Sequence, residues 1–153
     1  MSLFTSVFLI YQLSNAQQIE IMTLDQMQNE ITTPSNTIKV FNFWATWCGP
    51  CIRELPYFDN VNSMNDVEVI LVSMDYPDAR DKVENFIVKK GLSSKVVMLK
   101  IKDMDHFMES IDKSWTGAIP ATLIVATDGR RGFYEGAFHE KELRLELEKF
   151  KYF

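Results

Sequence analysis

Three apolar runs dominate the pattern of hydrophobic and polar positions along the chain. Ile38 to Trp44 and Val67 to Met74 contain few polar side chains, which is typical of strands that are covered on both faces. Ala121 to Ala126 is followed by Asp128-Gly129, a dipeptide that favours a tight hairpin turn, and then by a β-prone return segment over Arg131 to Gly136. The pattern therefore predicts two central strands and an antiparallel hairpin.

Between these runs, apolar residues recur every three or four positions, as they do on the buried face of a helix. This periodicity predicts a helix that starts near Pro50 and further helices over Asp81 to Lys90, Asp103 to Trp115 and Glu140 to Phe150. Gly91 is suited to end the second helix, because glycine readily adopts the left-handed conformation that often follows a helix.

Two weaker patterns complete the prediction. Ile19 to Ile31 has the features of a short edge strand followed by a turn of helix, and Lys95 to Ile101 is a short β-prone run. Strands that alternate with helices and end in a hairpin predict an α/β fold. We expect a three-layer α/β/α sandwich whose mixed central sheet has a parallel half and an antiparallel half.

Size and composition fit one globular domain. The chain has 153 residues, of which 46% are hydrophobic and 24% charged, with a net charge of −5. A chain of this length can bury a substantial core. An acidic chain without a basic face is not expected to bind nucleic acid.

The first sixteen residues resemble a secretory signal. Leu3 to Leu13 is mostly apolar, and Ser14-Asn15-Ala16 provides small residues before a cleavage point at Gln17, although no Lys or Arg precedes Lys39. We expect a signal peptide over 1–16 and the folded domain over 17–153, with an uncleaved anchor or an altered start as alternatives. The expected location is periplasmic or otherwise extracytoplasmic, and cytoplasmic is the alternative.

The candidate chemistry lies in the only two cysteines, Cys48 and Cys51, which Gly49 and Pro50 separate. They lie where a buried strand is expected to give way to a helix, and unpaired N–H groups at a helix N-terminus favour thiolate over thiol. Thiol–disulfide exchange needs an exposed attacking thiolate and a second thiol that resolves the mixed disulfide. Cys48 is the candidate nucleophile and Cys51 the candidate resolving thiol.

Two other uses of the cysteines are possible from composition alone. A purely structural disulfide across so short a loop contributes only about 2 kcal/mol by loop closure. A zinc site needs further ligands, and His106 and His139 lack any ligand spacing to each other or to Cys48. We expect a redox-active pair and no metal.

The segment Phe41 to Cys51 is similar to the active-site region of thioredoxins. Pro56 matches the helix proline of that family, and Pro120, within Ala118 to Thr122, matches its cis-proline, which faces the disulfide. The resemblance covers Ile38 to Phe150 and implies a thioredoxin-like fold. A cis X–Pro bond is rare outside such constrained turns.

Two departures point to one branch of the family. Most thioredoxins carry a buried aspartate where this chain has Asn42, and here Glu54 follows Cys51 by three residues. These features, together with an extra segment around Asp75 to Ile101, resemble the TlpA/ResA-like branch, whose extracytoplasmic members reduce disulfides in exported proteins.

The resemblance implies roles for particular residues. Glu54 is expected to take the proton of Cys51, the alternative being a solvent-facing helix residue. Trp47 is expected to form an exposed docking surface, the alternative being a core tryptophan, for which Trp44 is the better candidate. The expected substrate-contacting residues are Trp47, Gly49, Pro50, Ile119 and Pro120.

The expected activity is that of a thiol–disulfide oxidoreductase that mainly reduces protein disulfides. No flavin or nicotinamide motif is present, so we expect no cofactor. Electrons must then come from an external thiol donor, for which a membrane-tethered redox partner is one candidate. We expect a monomer. The alternatives are a non-catalytic binding or chaperone module and, less favoured, a thiol peroxidase, because Ala45 stands where a peroxidase needs Thr or Ser.

Overall fold

The structure is a computed structural model that describes residues 19–151. The proposed signal peptide and its cleavage point lie outside the described residues. The strands are β1 (Glu20–Met22), β2 (Ile38–Trp44), β3 (Val67–Ser73), β4 (Lys95–Leu99), β5 (Ala121–Val125) and β6 (Arg131–Glu135). The helices are α1 (Leu24–Thr32), α2 (Gly49–Asn62), α3 (Arg80–Lys90), α4 (Met104–Ile111) and α5 (Glu140–Lys151).

The six strands form one mixed sheet in the order β1-β4-β3-β2-β5-β6. The first four run parallel, β5 pairs antiparallel with β2, and β6 pairs antiparallel with β5. Buried side chains from α2, α3 and α5 form the core on one face, and those from α1 and α4 form the core on the other. The predicted three-layer sandwich with a parallel half and a hairpin half is confirmed.

Strand β2 lies near the middle of the sheet, and all seven of its residues are buried. Its side chains alternate between the two faces, as the pleat requires. Val40 belongs to the core under α2, whereas Phe41 and Phe43 belong to the core under α4. A strand held on both faces gives the loop that follows it a rigid base.

The helix predicted over Asp103 to Trp115 is shorter than expected and ends at Ile111. Asp112 is extended there, and its carboxylate accepts hydrogen bonds from the backbone N–H and hydroxyl of Ser114. This local turn competes with the helix, as aspartate and serine often do. Trp115 nevertheless packs in the core, 4.7 Å from Phe43 between ring centroids.

The segment Asp75 to Ile101 contributes α3 and β4, and β4 inserts between β3 and β1. Gly91 follows α3 in the left-handed conformation with a φ of 64°, as expected for a glycine that ends a helix. At the start of the described chain, α1 spans nine residues, and a reciprocal capping box of Thr23 and Gln26 fixes where it begins. Among residues 19–151, none of the helices combines the length and apolar character needed to span a bilayer.

Candidate active site

A disulfide joins Cys48 to Cys51 at the start of α2, with an S–S distance of 2.05 Å. Cys48 is the residue that caps this helix, and the loop before it leads directly from the end of β2. Cys48 is 6% exposed to solvent, whereas Cys51 is fully buried. The predicted order, with Cys48 nearer to solvent and Cys51 behind it, is confirmed.

The N-terminus of α2 provides a favourable electrostatic environment for a charged Cys48. The backbone N–H of Cys51 donates to the Sγ of Cys48 at 3.3 Å. The first turn of α2 carries no acidic side chain. Hydrogen bonds and the helix dipole stabilise a thiolate at such a position, so the arrangement suits Cys48 as the attacking sulfur.

The loop before β5 faces the disulfide. The Ile119–Pro120 peptide bond is cis, as predicted from the sequence. The carbonyl oxygen of Ile119 lies 3.8 Å from the Sγ of Cys48. Two contacts hold this loop: the indole N–H of Trp115 donates to the carbonyl of Ala118 at 2.9 Å, and the N–H of Thr116 donates to Glu135 at 2.8 Å.

The two neighbouring tryptophans have opposite environments. Trp47 is 65% exposed, next to Cys48, whereas Trp44 is fully buried in the core. The prediction of which tryptophan is exposed is therefore confirmed. Gly49 and Pro50 are also exposed, while Ile119 is half-buried and Pro120 buried.

Glu54 is buried, with 1% of its surface exposed, so the interpretation of a solvent-facing helix residue is wrong. Its Oε1 accepts from the Nδ2 of Asn42 at 2.8 Å, and its Oε2 accepts from the backbone N–H of Phe138 at 2.7 Å. Burial raises the pKa of Glu54 to about 7, against the opposing effect of these two hydrogen bonds. A carboxyl group that titrates near neutral pH is suited to accept and return a proton.

A second buried carboxylate supports the loop that carries Trp47. Asp75 accepts from the backbone N–H of Thr46 at 2.8 Å and from its hydroxyl at 2.6 Å, and Ser73 donates to it at 3.0 Å. This contact ties the end of β3 to the loop after β2. Sequence reasoning missed it; the available signal was a carboxylate placed directly after a buried parallel strand.

The metal-site alternative receives no support from the described part of the chain. Within residues 19–151, no group of three or more His, Cys, Asp and Glu side chains is arranged to hold a metal ion. His106 and His139 are both exposed, the first on α4 and the second just before α5.

Comparison with known proteins gives the same fold and a consistent chemistry. A family model described as redoxin matches residues 14–131. The thiol–disulfide oxidoreductase ResA of Geobacillus thermodenitrificans is 25% identical over 142 residues, covering 90% of this chain and 77% of that protein. ResA of Bacillus subtilis is 29% identical over 90 residues, covering 58% of this chain. That alignment spans 47% of the Bacillus protein, about half of its length.

A solved structure shares the architecture over most of its length. It is described as a secreted Mycobacterium tuberculosis disulfide oxidoreductase homologous to E. coli DsbE. It covers 89% of this chain and 98% of its own, with a TM-score of 0.59 and 18% identity. At this level of identity the likeness shows the shared fold.

Proposed function

The chain belongs to the redoxin family as a TlpA/ResA-like thiol–disulfide oxidoreductase, and we propose that Cys48 and Cys51 are its redox pair and mainly reduce disulfides of exported proteins. The observation that carries the proposal is the Cys48–Cys51 disulfide at the N-terminus of α2. Cys48 is 6% exposed and Cys51 is fully buried, so Cys48 is the more accessible of the two. This order matches the division between attack and resolution that disulfide exchange requires.

The proposed cycle starts from the reduced pair. The Cys48 thiolate attacks one sulfur of a substrate disulfide, forming a bond to that sulfur and releasing the other as a thiolate, which takes a proton from water. Cys51 then gives its proton to Glu54 and attacks Cys48, which expels the second substrate thiolate. Two electrons pass to the substrate, and the pair ends as the disulfide.

An external thiol donor completes the cycle by reducing the disulfide again. A donor thiolate attacks the pair, and a second donor thiol releases the reduced enzyme, so that the donor leaves oxidised. The proposed location for this chemistry is extracytoplasmic, as the resemblance to the TlpA/ResA-like branch implies. In that location the donor is expected to be a membrane-tethered redox partner.

We infer the direction of electron transfer from the two residues between the cysteines. Gly49 and Pro50 add neither charge nor a side-chain donor to the Cys48 thiolate. A strongly stabilised thiolate makes a pair oxidising, and each 30 mV corresponds to about 1.4 kcal/mol. We therefore expect a potential nearer to about −270 mV than to about −120 mV.

A redox titration against glutathione, with the two forms separated after alkylation, tests this direction. The pair is expected to be oxidised under mildly oxidising conditions. Pro50→His should make the potential less negative by tens of millivolts, about 1 to 3 kcal/mol, because it adds a donor beside Cys48. Pro50→Ala is the matched control. A wild-type pair that stays reduced under these conditions would contradict the reducing direction.

Substrate docking is proposed to use Trp47 together with the Ile119 segment. Trp47 is exposed beside Cys48, and the Ile119 carbonyl lies 3.8 Å from the Cys48 sulfur, so an extended peptide could lie between them. The disulfide of such a substrate would then meet the attacking sulfur.

Trp47→Ala is expected to raise KM for a protein disulfide about tenfold, since losing part of an aromatic contact costs roughly 1.4 kcal/mol. Reduction of a small aromatic disulfide reagent should change little. Leu145→Ala, which removes a 55% exposed side chain from α5, is the control. If the two substitutions raised KM for the protein substrate equally, Trp47 would not belong to the docking surface.

A further inference from the structure

Glu54 lies between two hydrogen-bond donors of different kinds. The side-chain Nδ2 of Asn42 reaches Oε1 at 2.8 Å, and the main-chain N–H of Phe138 reaches Oε2 at 2.7 Å. Both oxygens therefore accept, which fits the ionised carboxylate. Once a proton is added, the acid becomes a donor and needs an acceptor within reach.

The Oδ1 of Asn42 is an acceptor of this kind. Its side chain is fully buried, and its Oδ1 accepts no hydrogen bond from the rest of the described chain. Its Nδ2 meanwhile donates to Glu54 and, at 3.3 Å, to the hydroxyl of Thr122.

We propose that the Asn42 amide reverses when Glu54 takes up a proton, so that Oδ1 accepts from the new acid group and Asn42 holds Glu54 in place in both states. The inference rests on the proposed function, because it assigns the amide to the proton-transfer step of that site. Asn42 is thus a positioning residue: its side-chain hydrogen bonds in the described structure go to Glu54 and Thr122, and it acts through Glu54.

The partners of Asn42 suit this exchange. The hydroxyl of Thr122 can both donate and accept, so it can accept from Nδ2 in one orientation and donate to Oδ1 in the other. The N–H of Phe138 belongs to the main chain and cannot become an acceptor. The added proton is therefore expected on Oε1, the oxygen that faces Asn42.

No charged group competes with this arrangement in the described structure. Within residues 19–151, Glu54 forms no salt bridge, and the raised pKa comes from burial, with the bonds from Phe138 and Asn42 opposing it. The groups that face Glu54 are Asn42 from β2 and the Phe138 N–H from the loop before α5. Cys51, one turn earlier among the buried residues of α2, is the titratable group from which the proposed cycle takes the proton.

The test follows the side-chain amide of Asn42 by NMR in the oxidised full chain across the titration of Glu54. While Glu54 is ionised, one Nδ2 proton of Asn42 has the chemical shift of a proton bonded to a carboxylate, and we expect this shift to change as Glu54 takes up a proton. The midpoint of that change should equal the midpoint of the titration of the Glu54 carboxyl carbon. Asn62, whose Oδ1 accepts from the backbone of Val69, is an internal control and should not respond.

Glu54→Gln provides the second measurement. Its amide NH2 takes the place of the acid group toward Asn42 while its oxygen still accepts from Phe138, so Asn42 should show its low-pH spectrum at every pH. Constant Asn42 resonances during the Glu54 titration, no Glu54 titration at all, or a variant spectrum like that of wild type at high pH would overturn the proposal. Because the oxidised chain does not turn over, these outcomes are independent of whether it reduces disulfides.

Discussion

Replacing Cys51 with serine is expected to stop the cycle at the mixed disulfide and to leave substrate proteins attached to Cys48. The substitution leaves Cys48, the more exposed of the two cysteines, at the start of α2, so the first step is still expected to occur. A serine hydroxyl is not ionised near neutral pH and cannot displace a thiol, so resolution ceases. Turnover should fall to the uncatalysed background.

The measurement is mass spectrometry of covalent adducts after the reduced variant is mixed with an extracytoplasmic extract and quenched by alkylation. Cys48→Ser is the matched control: it should form no adducts, and its turnover should also reach background, because Cys51 is fully buried. The adducts would identify the substrates.

The same pair of variants separates the rival functions. A binding or chaperone module would retain full biological activity in Cys48→Ser, which would contradict the redox proposal. A thiol peroxidase would consume peroxide with a thiol donor. Recovery of adducts through Cys51 instead of Cys48 would reverse the assigned roles of the two sulfurs.

The central part of the fold was predictable because two-sided burial leaves a strong signal. Strand β2 is buried over its whole length, and a run in which only Lys39 and Asn42 are polar has few other interpretations. The end of α4 was not predictable in the same way. Apolar spacing continued to Trp115, but the turn made by Asp112 and Ser114 ends the helix at Ile111. The spacing of apolar residues indicates which side chains are buried. It does not indicate where polar side chains form local hydrogen bonds that compete with those of the helix.

The candidate site also contains residues whose positions were predictable and one whose surroundings were not. The positions of Cys48, Cys51 and Pro120 follow from short motifs, and the structure places them as expected. The surroundings of Glu54 do not follow from such a motif. Its hydrogen-bond partners are the Phe138 backbone, 84 residues later in the chain, and Asn42 from another element. A backbone donor leaves no trace in residue identity, so contacts of this kind have to be read from the structure.

Glu54→Gln is expected to slow the Cys51-dependent release of substrate about a hundredfold at neutral pH. A positioned general base contributes about 10² to 10⁴ in rate, and glutamine keeps the shape of the side chain but cannot take a proton. The attack by Cys48 should change little, because that step does not use Glu54. Single-turnover kinetics with a fluorescent mixed disulfide separate the two steps.

The pH dependence of release gives the sign of the effect. Glu54 acts as a base only when ionised, so the wild-type rate should rise with pH through about 7 and then level off. The variant should lack this rise. Glu109→Gln, which removes an exposed carboxylate on α4, is the control and should keep the wild-type profile. A wild-type profile retained in Glu54→Gln would assign the proton to another acceptor.

Protein stability measures the same titration without any turnover. The pKa of Glu54 is raised from 4.5 to about 7 on folding, so the native state binds the proton more tightly than the unfolded chain. The stabilisation that comes from the proton on Glu54 is fully present below pH 4.5 and is lost as the pH rises through about 7. The free energy of unfolding should therefore decrease by about 3 kcal/mol over this interval. In Glu54→Gln this decrease should be absent, so the stability curves of variant and wild type should diverge over that interval. Parallel curves would mean that Glu54 does not titrate there, and any kinetic change near neutral pH would then have to come from the cysteines themselves.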